Sequence, residues 1–273
     1  MKTLTCMVIL VFLLDHSGAG QSRVTPEEQY QKALGFLLAS SHSQTDRDEA
    51  LNLLRAAADK NYAPAQTALG TLYAKDSFTP RDISKAIDWF TKAAEQDDWI
   101  AQLALGRIYL LGDGVPQDSS RAKIWLLRAA SHGDSAAAFY LGLLYDGRLG
   151  MPTDHEEAAK WYRQSAEAGN PYALEKLANL ILKGQLGKRD PQEAYTLLLV
   201  AVEFGNQGAM LHLDSMEGDL GTNGAEAARK EAVNMRQEIQ ANRSKNPCNG
   251  WPGQFELRPV PPPISFLGVC EGK

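Results

Sequence analysis

The sequence predicts an all-α fold, a right-handed superhelical solenoid of antiparallel helix pairs that repeats every 36 residues. Several columns of one residue type recur at this interval. They are leucine (Leu69, Leu105, Leu141, Leu177, Leu213), alanine (Ala65, Ala101, Ala137, Ala173, Ala209) and aspartate (Asp46, Asp82, Asp118, Asp154, Asp190). A fixed period between about 20 and 50 residues, carried through several copies, is typical of one supersecondary unit stacked repeatedly.

The second copy shows why each unit is expected to contain two helices. Ala101 and Leu105 belong to an apolar stripe with helical spacing. Gly112 interrupts that stripe, and Asp118 is a residue type that accepts hydrogen bonds from the free N–H groups at the start of a second helix. Gly133 then suits the left-handed position at the helix end. We therefore interpret the aspartate column as helix caps rather than as metal ligands or catalytic groups.

A tryptophan column follows the same period. Trp89, Trp125 and Trp161 lie in the second helix of successive units, close to alanines that allow neighbouring backbones to approach. Core packing is the favoured interpretation, and a ligand cage is the alternative.

The run ALGRIYLLGDGVPQDSSRAKIWLLRAASHGD, which begins at Ala104, resembles a Sel1-like repeat, a relative of the tetratricopeptide repeat with a slightly longer unit. The copy near Ala173 departs from the pattern, with Ala178 in place of Gly and Ile181 in place of Tyr. The resemblance covers roughly residues 30–208. It implies a protein-binding scaffold, and in bacteria it implies adaptor work in envelope processes such as exopolysaccharide assembly, signalling and contact with host cells.

Both ends depart from the repeat, which gives a predicted organisation in four parts: a signal peptide (1–20), the solenoid (21–215), a C-terminal capping helix (216–243) and a Pro-rich irregular tail (244–273). The capping helix is predicted from a narrow apolar stripe backed by charged residues; a coiled-coil strand is the alternative. The stripe consists of Ala225, Ala228, Ala232, Met235 and Ile239.

The first twenty residues have the order of a secretory signal. Lys2 precedes an apolar run from Leu4 to Leu14, and small residues follow it up to Gly20. The run is shorter than the roughly 20 apolar residues of a membrane span. We therefore expect export to the periplasm or secretion, with a buried N-terminal helix as the alternative. A bacterial source is favoured over the lumen of a eukaryotic secretory pathway.

The tail is rich in proline yet carries apolar side chains such as Trp251 and Phe255. We expect it to lie back on the solenoid as a looped extension, and a free tail is the alternative. Cys248 and Cys270 form an even pair in a chain expected to be exported, which favours a disulfide. A reactive or intermolecular thiol is the competing interpretation.

The sequence offers little sign of chemistry. The formal net charge is −5 and no segment concentrates Lys and Arg, so nucleic acid is not an expected partner. No HExxH or CxxC pattern indicates zinc, and no cofactor is expected. Ser120 and Lys123 spell SxxK, the signature of penicillin-recognising enzymes, but the accompanying SDN and KTG motifs are missing. We therefore expect no enzyme; a cell-wall enzyme or subunit of the penicillin-binding type is the alternative.

The concave side of such a superhelix is usually lined by the first helix of each unit and binds a protein or peptide. We expect the partner to contact exposed first-helix positions in the central units, and cell-envelope components are possible associates. The candidate residues are Gln102, Leu103, Arg107, Phe139, Glu175 and Asn179. For Phe139, packing against the neighbouring repeat is the competing interpretation.

Overall fold

The computed structural model describes residues 24–38, 43–75, 79–147 and 149–245. The predicted signal peptide, the cysteine pair and the tail from residue 246 onward lie outside the described residues. Across these four ranges, no helix combines the length and apolar character needed to span a bilayer.

Within the described ranges the regular secondary structure is helical throughout, which confirms the all-α solenoid. The helices are α1 (Pro26–Leu38), α2 (Gln44–Ala58), α3 (Ala63–Ala74), α4 (Ile83–Ala94), α5 (Trp99–Leu111), α6 (Ser119–Ser131), α7 (Ser135–Tyr145), α8 (His155–Glu167), α9 (Pro171–Leu182), α10 (Pro191–Glu203) and α11 (Met210–Lys245). Odd-numbered helices are the first and even-numbered helices the second of each pair. A short 3₁₀ turn, Gln207–Ala209, precedes α11.

Aspartate caps start the second helices. Asp82, Asp118, Asp154 and Asp190 are the N-caps of α4, α6, α8 and α10, and each side chain accepts a hydrogen bond from the N–H three residues later. The column changes role at Asp46. There Ser43 is the N-cap of α2, and Asp46 completes a capping box with it.

Close contact between the two helices of a pair depends on glycine. At Gly70, Gly106 and Gly142 an added Cβ would lie within 3 Å of side-chain atoms of Phe90, Leu126 and Tyr162, respectively. These three partners stand at one repeat position on the second helices, and all are buried. In the last pair the same two positions hold Ala178 and Leu198.

The tryptophans pack at the edge of the core rather than inside it. Trp89, Trp125 and Trp161 are half-buried against the apolar clusters. The Lys92 ammonium lies 4.1 Å from the centroid of the Trp89 ring, and the Arg128 guanidinium lies 4.9 Å from that of Trp125. Cations of this chain and the apolar core therefore both contact Trp89 and Trp125, which favours core packing over a ligand cage.

The last helix closes the stack. Gly221, at φ 66° and ψ 173°, divides α11 into a first segment, residues 210–220, and the capping helix, residues 222–245. The predicted apolar stripe faces the protein, since four of its members are buried and Met235 is half-buried. The capping helix runs parallel to α10, because Thr196 contacts Ala228 and, about two turns later along both helices, Glu203 pairs with Arg236.

Candidate interaction surface

The structure separates the six predicted partner-binding residues into two groups. Gln102, Leu103, Arg107 and Phe139 are buried, with exposed fractions of 0%, 3%, 7% and 4%. The expectation that these four positions are exposed is wrong. Glu175 and Asn179 are half-buried and remain accessible.

Phe139 and Arg107 contact the first helix of the next unit. The Phe139 ring centroid on α7 lies 6.4 Å from that of Tyr172 on α9 and 6.0 Å from that of Tyr162. The Arg107 guanidinium on α5 lies 5.8 Å from the centroid of the Tyr140 ring on α7. Phe139 therefore packs against the neighbouring repeat, as the competing interpretation holds.

Gln102 has a structural role at the end of α4. Its Nε2 donates to the carbonyl oxygen of Ala94 at 3.3 Å and to Oδ1 of Asp97 at 3.0 Å. Asp97 has φ 70°, a left-handed conformation that costs a residue with a Cβ roughly 1 kcal/mol or more. One repeat earlier, Gln66 makes the same two bonds, to Ala58 and to Asn61 at φ 63°.

Later repeats replace both members of this pair. The left-handed position holds Gly133, Gly169 and Gly205, and the position of Gln102 holds Ala138 and Leu174. Glycine adopts the left-handed conformation without strain, so a glutamine brace is dispensable in those units.

We expect Gln102→Ala to lower the free energy of unfolding by about 1–2 kcal/mol, because it removes one buried and one partly buried hydrogen bond. In an Asp97→Gly background the loss should be smaller, since glycine relieves the strain and the carboxylate that accepts one of the two bonds is already absent. Urea unfolding of the two single variants and the double variant measures this coupling. The pair Asn61 and Gln66 provides an independent repeat of the cycle. Strict additivity in both repeats would contradict the bracing role.

Exposure rises along one first-helix column toward the C-terminal end. Thr67, Leu103 and Phe139 are 0%, 3% and 4% exposed, Glu175 is half-buried and Leu211 is 81% exposed. Phe139 lies against Tyr172 of α9, the first helix of the next unit, and α11 is the last helix in the part of the chain that the structure describes. Met210, which precedes Leu211 in the sequence, is 48% exposed.

These residues define a surface that we call the C-terminal face: Tyr172, Glu175, Lys176 and Asn179 on α9, with Met210 and Leu211 at the start of α11. The four residues of α9 follow i, i+3, i+4, i+7 spacing and share one side of the helix. Asn206, just before the 3₁₀ turn, donates from Nδ2 to Oε2 of Glu175 at 2.6 Å and joins the segment that precedes α11 to α9. An apolar centre with a polar rim is typical of protein interfaces.

Sequence reasoning missed Met210 and Leu211. It followed the column through the central units, although a solenoid exposes the column at its last copy. The sequence did contain an indication of this exposed site. Leu211 is a large apolar residue, whereas the preceding member of its column, Glu175, is charged.

The SxxK residues do not form a recognisable catalytic pair. Ser120 is exposed, and the Lys123 ammonium lies 4.9 Å from the centroid of the Tyr145 ring, where it makes a cation–π contact. In the part of the chain that the structure describes, no group of three or more His, Cys, Asp and Glu side chains is placed to hold a metal ion.

Stacked antiparallel helix pairs, joined by buried first helices and ending in an accessible face, define an α-solenoid repeat protein. A family model described as Sel1 repeat matches residues 29–62, 63–98, 99–134, 135–170 and 171–203. The chain belongs to the Sel1 repeat family. Proteins with these repeats generally mediate protein–protein interactions.

The chain is similar to several solved structures, and the first of these supports this fold. A Sel1 repeat protein from Oxalobacter formigenes is 30% identical, with 80% of this chain and 89% of that chain covered and a TM-score of 0.64. The protective antigen c5321 of uropathogenic Escherichia coli strains is 25% identical, with 80% and 54% covered and a TM-score of 0.46. The immunity protein PA5088 from Pseudomonas aeruginosa is 19% identical, with 87% and 88% covered and a TM-score of 0.42. A search of curated proteins found no match.

Proposed function

We propose that this protein is a non-enzymatic adaptor of the bacterial cell envelope that acts in the periplasm or outside the cell and binds a protein or peptide partner. The repeat family supports a protein partner, and the apolar leader at the N-terminus supports export. The observation that supports the location of the binding site is the exposure of Leu211. This side chain is 81% exposed, whereas Thr67, Leu103 and Phe139 of the same column are buried.

The proposed partner contributes a helix. Inside the solenoid, the column residue Phe139 is covered by Tyr172 from the first helix of the next unit. An amphipathic helix of the partner takes the equivalent place over Leu211 and Met210, with Glu175 and Lys176 offering one charge of each sign at the rim. This places the partner on the first-helix side, where the sequence predicted it, but at the C-terminal end rather than over the central units.

We expect Leu211→Glu to weaken partner binding at least 30-fold, since truncating or charging a central interface residue costs about 2 kcal/mol or more. A photo-crosslinking amino acid at residue 211 first identifies the contacting protein in native envelopes. Isothermal titration with that purified protein then gives the affinities of the unmodified chain and the variants.

Leu111→Glu is the matched control, because Leu111 is a 47% exposed leucine at the end of α5, outside the C-terminal face. It should change the affinity less than twofold, and far-ultraviolet circular dichroism should show unchanged helix content in both variants. Equal losses in the two variants, or none in either, would refute the C-terminal face as the binding site. Covalent labelling of Ser120 by a penicillin probe would instead favour the enzyme alternative.

A further inference from the structure

A groove separates the capping helix from the last helix pairs. Its volume is about 240 Å³, and it lies between α8, α9, α10 and the capping helix. Its apolar lining consists of Ala166, Leu174, Leu177, Leu197, Met235 and Ile239. The volume is below the roughly 300–1,000 Å³ of pockets for small-molecule ligands and corresponds to about eight waters at roughly 30 Å³ each. The groove therefore suits one large side chain with its neighbours.

The rim of the groove is mainly acidic. Glu167, Glu193 and Glu238 contribute carboxylates, and Arg163 contributes one guanidinium. Carboxylates accept hydrogen bonds, so the favoured occupant combines a large apolar body with an N–H donor. The indole ring of tryptophan has both properties, whereas phenylalanine and leucine lack the donor.

The chain itself supplies such a residue at the right distance. Asn242 lines the groove and the capping helix ends at Lys245. Trp251 follows six residues later, and six residues reach at most about 20 Å when extended. Met235 lies ten residues before Lys245, or about 15 Å along the helix axis. Trp251 is also the first large apolar side chain after the helix.

We propose that the segment after the capping helix folds back on the solenoid and inserts the Trp251 indole into this groove. This inference is independent of the proposed partner site, because Leu174 and Leu177 lie on the side of α9 opposite Glu175 and Asn179. The groove and the C-terminal face can therefore be occupied at the same time.

The test uses the full-length chain, exported by cells grown with 5-fluorotryptophan and studied by ¹⁹F NMR. The chain has five tryptophans, and the Trp251 signal is the one that Trp251→Phe removes. A soluble gadolinium chelate broadens the signals of accessible rings. We expect the Trp251 signal to be protected, and we expect Met235→Glu to increase its broadening at least threefold.

Val233→Glu is the matched control, because Val233 is 40% exposed on the same helix and does not line the groove. It should leave the Trp251 signal protected. Met235→Ala repeats the test without a new charge, and circular dichroism checks that each variant keeps its helix content. An accessible Trp251 in the unmodified protein would overturn the proposal. Protection that survives both Met235 variants would place the ring elsewhere, and protection lost on dilution would indicate a second copy as the occupant.

Discussion

Gly142→Ala should destabilise the protein by about 1–3 kcal/mol, although the same change inside a helix usually stabilises it by up to about 1 kcal/mol. The reason is the close approach of α7 and α8. An added Cβ at residue 142 would lie within 3 Å of the Tyr162 ring, which is fully buried and has little room to move. The cost of overpacking should exceed the gain in helix propensity.

Urea unfolding measures this effect, with Gly35→Ala as the matched control. Gly35 lies in α1, where an added Cβ meets no atom within 4 Å, so this variant should gain about 0.5–1 kcal/mol. Adding Tyr162→Leu to Gly142→Ala recreates the Ala178 and Leu198 combination of the last pair and should recover part of the loss. Stabilisation by both alanine substitutions would show that α7 and α8 can separate without cost.

The 36-residue columns predicted the helix pairs, because the packing inside one unit recurs in every unit and requires the same residue types at the same positions. They could not tell which first-helix positions are covered by the next unit. The composition of the helices also indicated which first helices are covered. α5 and α7 are apolar almost all round, and a helix of that kind is buried on every side. α9 differs, since Glu175, Lys176 and Asn179 give it one polar side.

The sequence also contains evidence for the hydrogen-bonded pair of Gln102 and Asp97, because the residues at these two positions change together between the repeats. Units with Asn or Asp at the left-handed position carry Gln five residues later, and units with Gly carry Ala, Leu or Met. Period and hydrophobicity do not reveal the correlation. It follows from backbone strain, which depends on a positive φ that becomes visible in the structure.

The groove beneath the capping helix could not be predicted, because it depends on how α11 turns at Gly221. The sequence predicted an apolar stripe on the capping helix, and the structure shows that Met235 and Ile239 of this stripe line the groove together with side chains of α8, α9 and α10. A cavity formed by four helices depends on their relative positions, which no local pattern specifies.

The N-caps of the first helices are expected to make stability depend on pH. Asp98 and Asp134 cap α5 and α7, whereas Asn170 caps α9 at the same repeat position. Burial raises the pKa of Asp134 to about 6, against the opposing effect of hydrogen bonds from the N–H groups of Ala137 and Ala136. Burial also raises the pKa of Asp98.

The sign of the pH dependence follows from the direction of the Asp134 shift. The carboxyl group has a pKa of 3.8 as its ordinary value and about 6 in the folded protein, so the folded state holds the proton more tightly. The stability that this group contributes is present below pH 3.8 and is lost as pH rises through 6. A difference of about two pH units corresponds to about 3 kcal/mol.

Asp134→Asn should therefore change stability in a pH-dependent way. Relative to the unmodified protein, the variant should gain about 2 kcal/mol of stability between pH 4 and pH 7.5, because Asn cannot ionise and part of the full effect is already present at pH 4. Asn170 donates from Nδ2 to Ser165, whereas Ala129 stands at the equivalent place for residue 134. The double variant Ala129→Ser with Asp134→Asn supplies that acceptor and should raise stability further at both pH values.

Urea unfolding at pH 4 and pH 7.5 gives the free energy of unfolding of each variant at each pH. A pH-independent cost of the asparagine amide cancels in the difference between the two conditions. The reciprocal variant, Asn170→Asp, places a carboxyl group at a fully buried cap and should make the protein lose stability as pH rises. If Asp134→Asn shifts the unfolding free energy equally at the two pH values, the carboxyl group of Asp134 ionises in the folded protein as it does in the unfolded chain. Its pKa would then be close to the ordinary value, and the cap would be as well solvated as one at the protein surface.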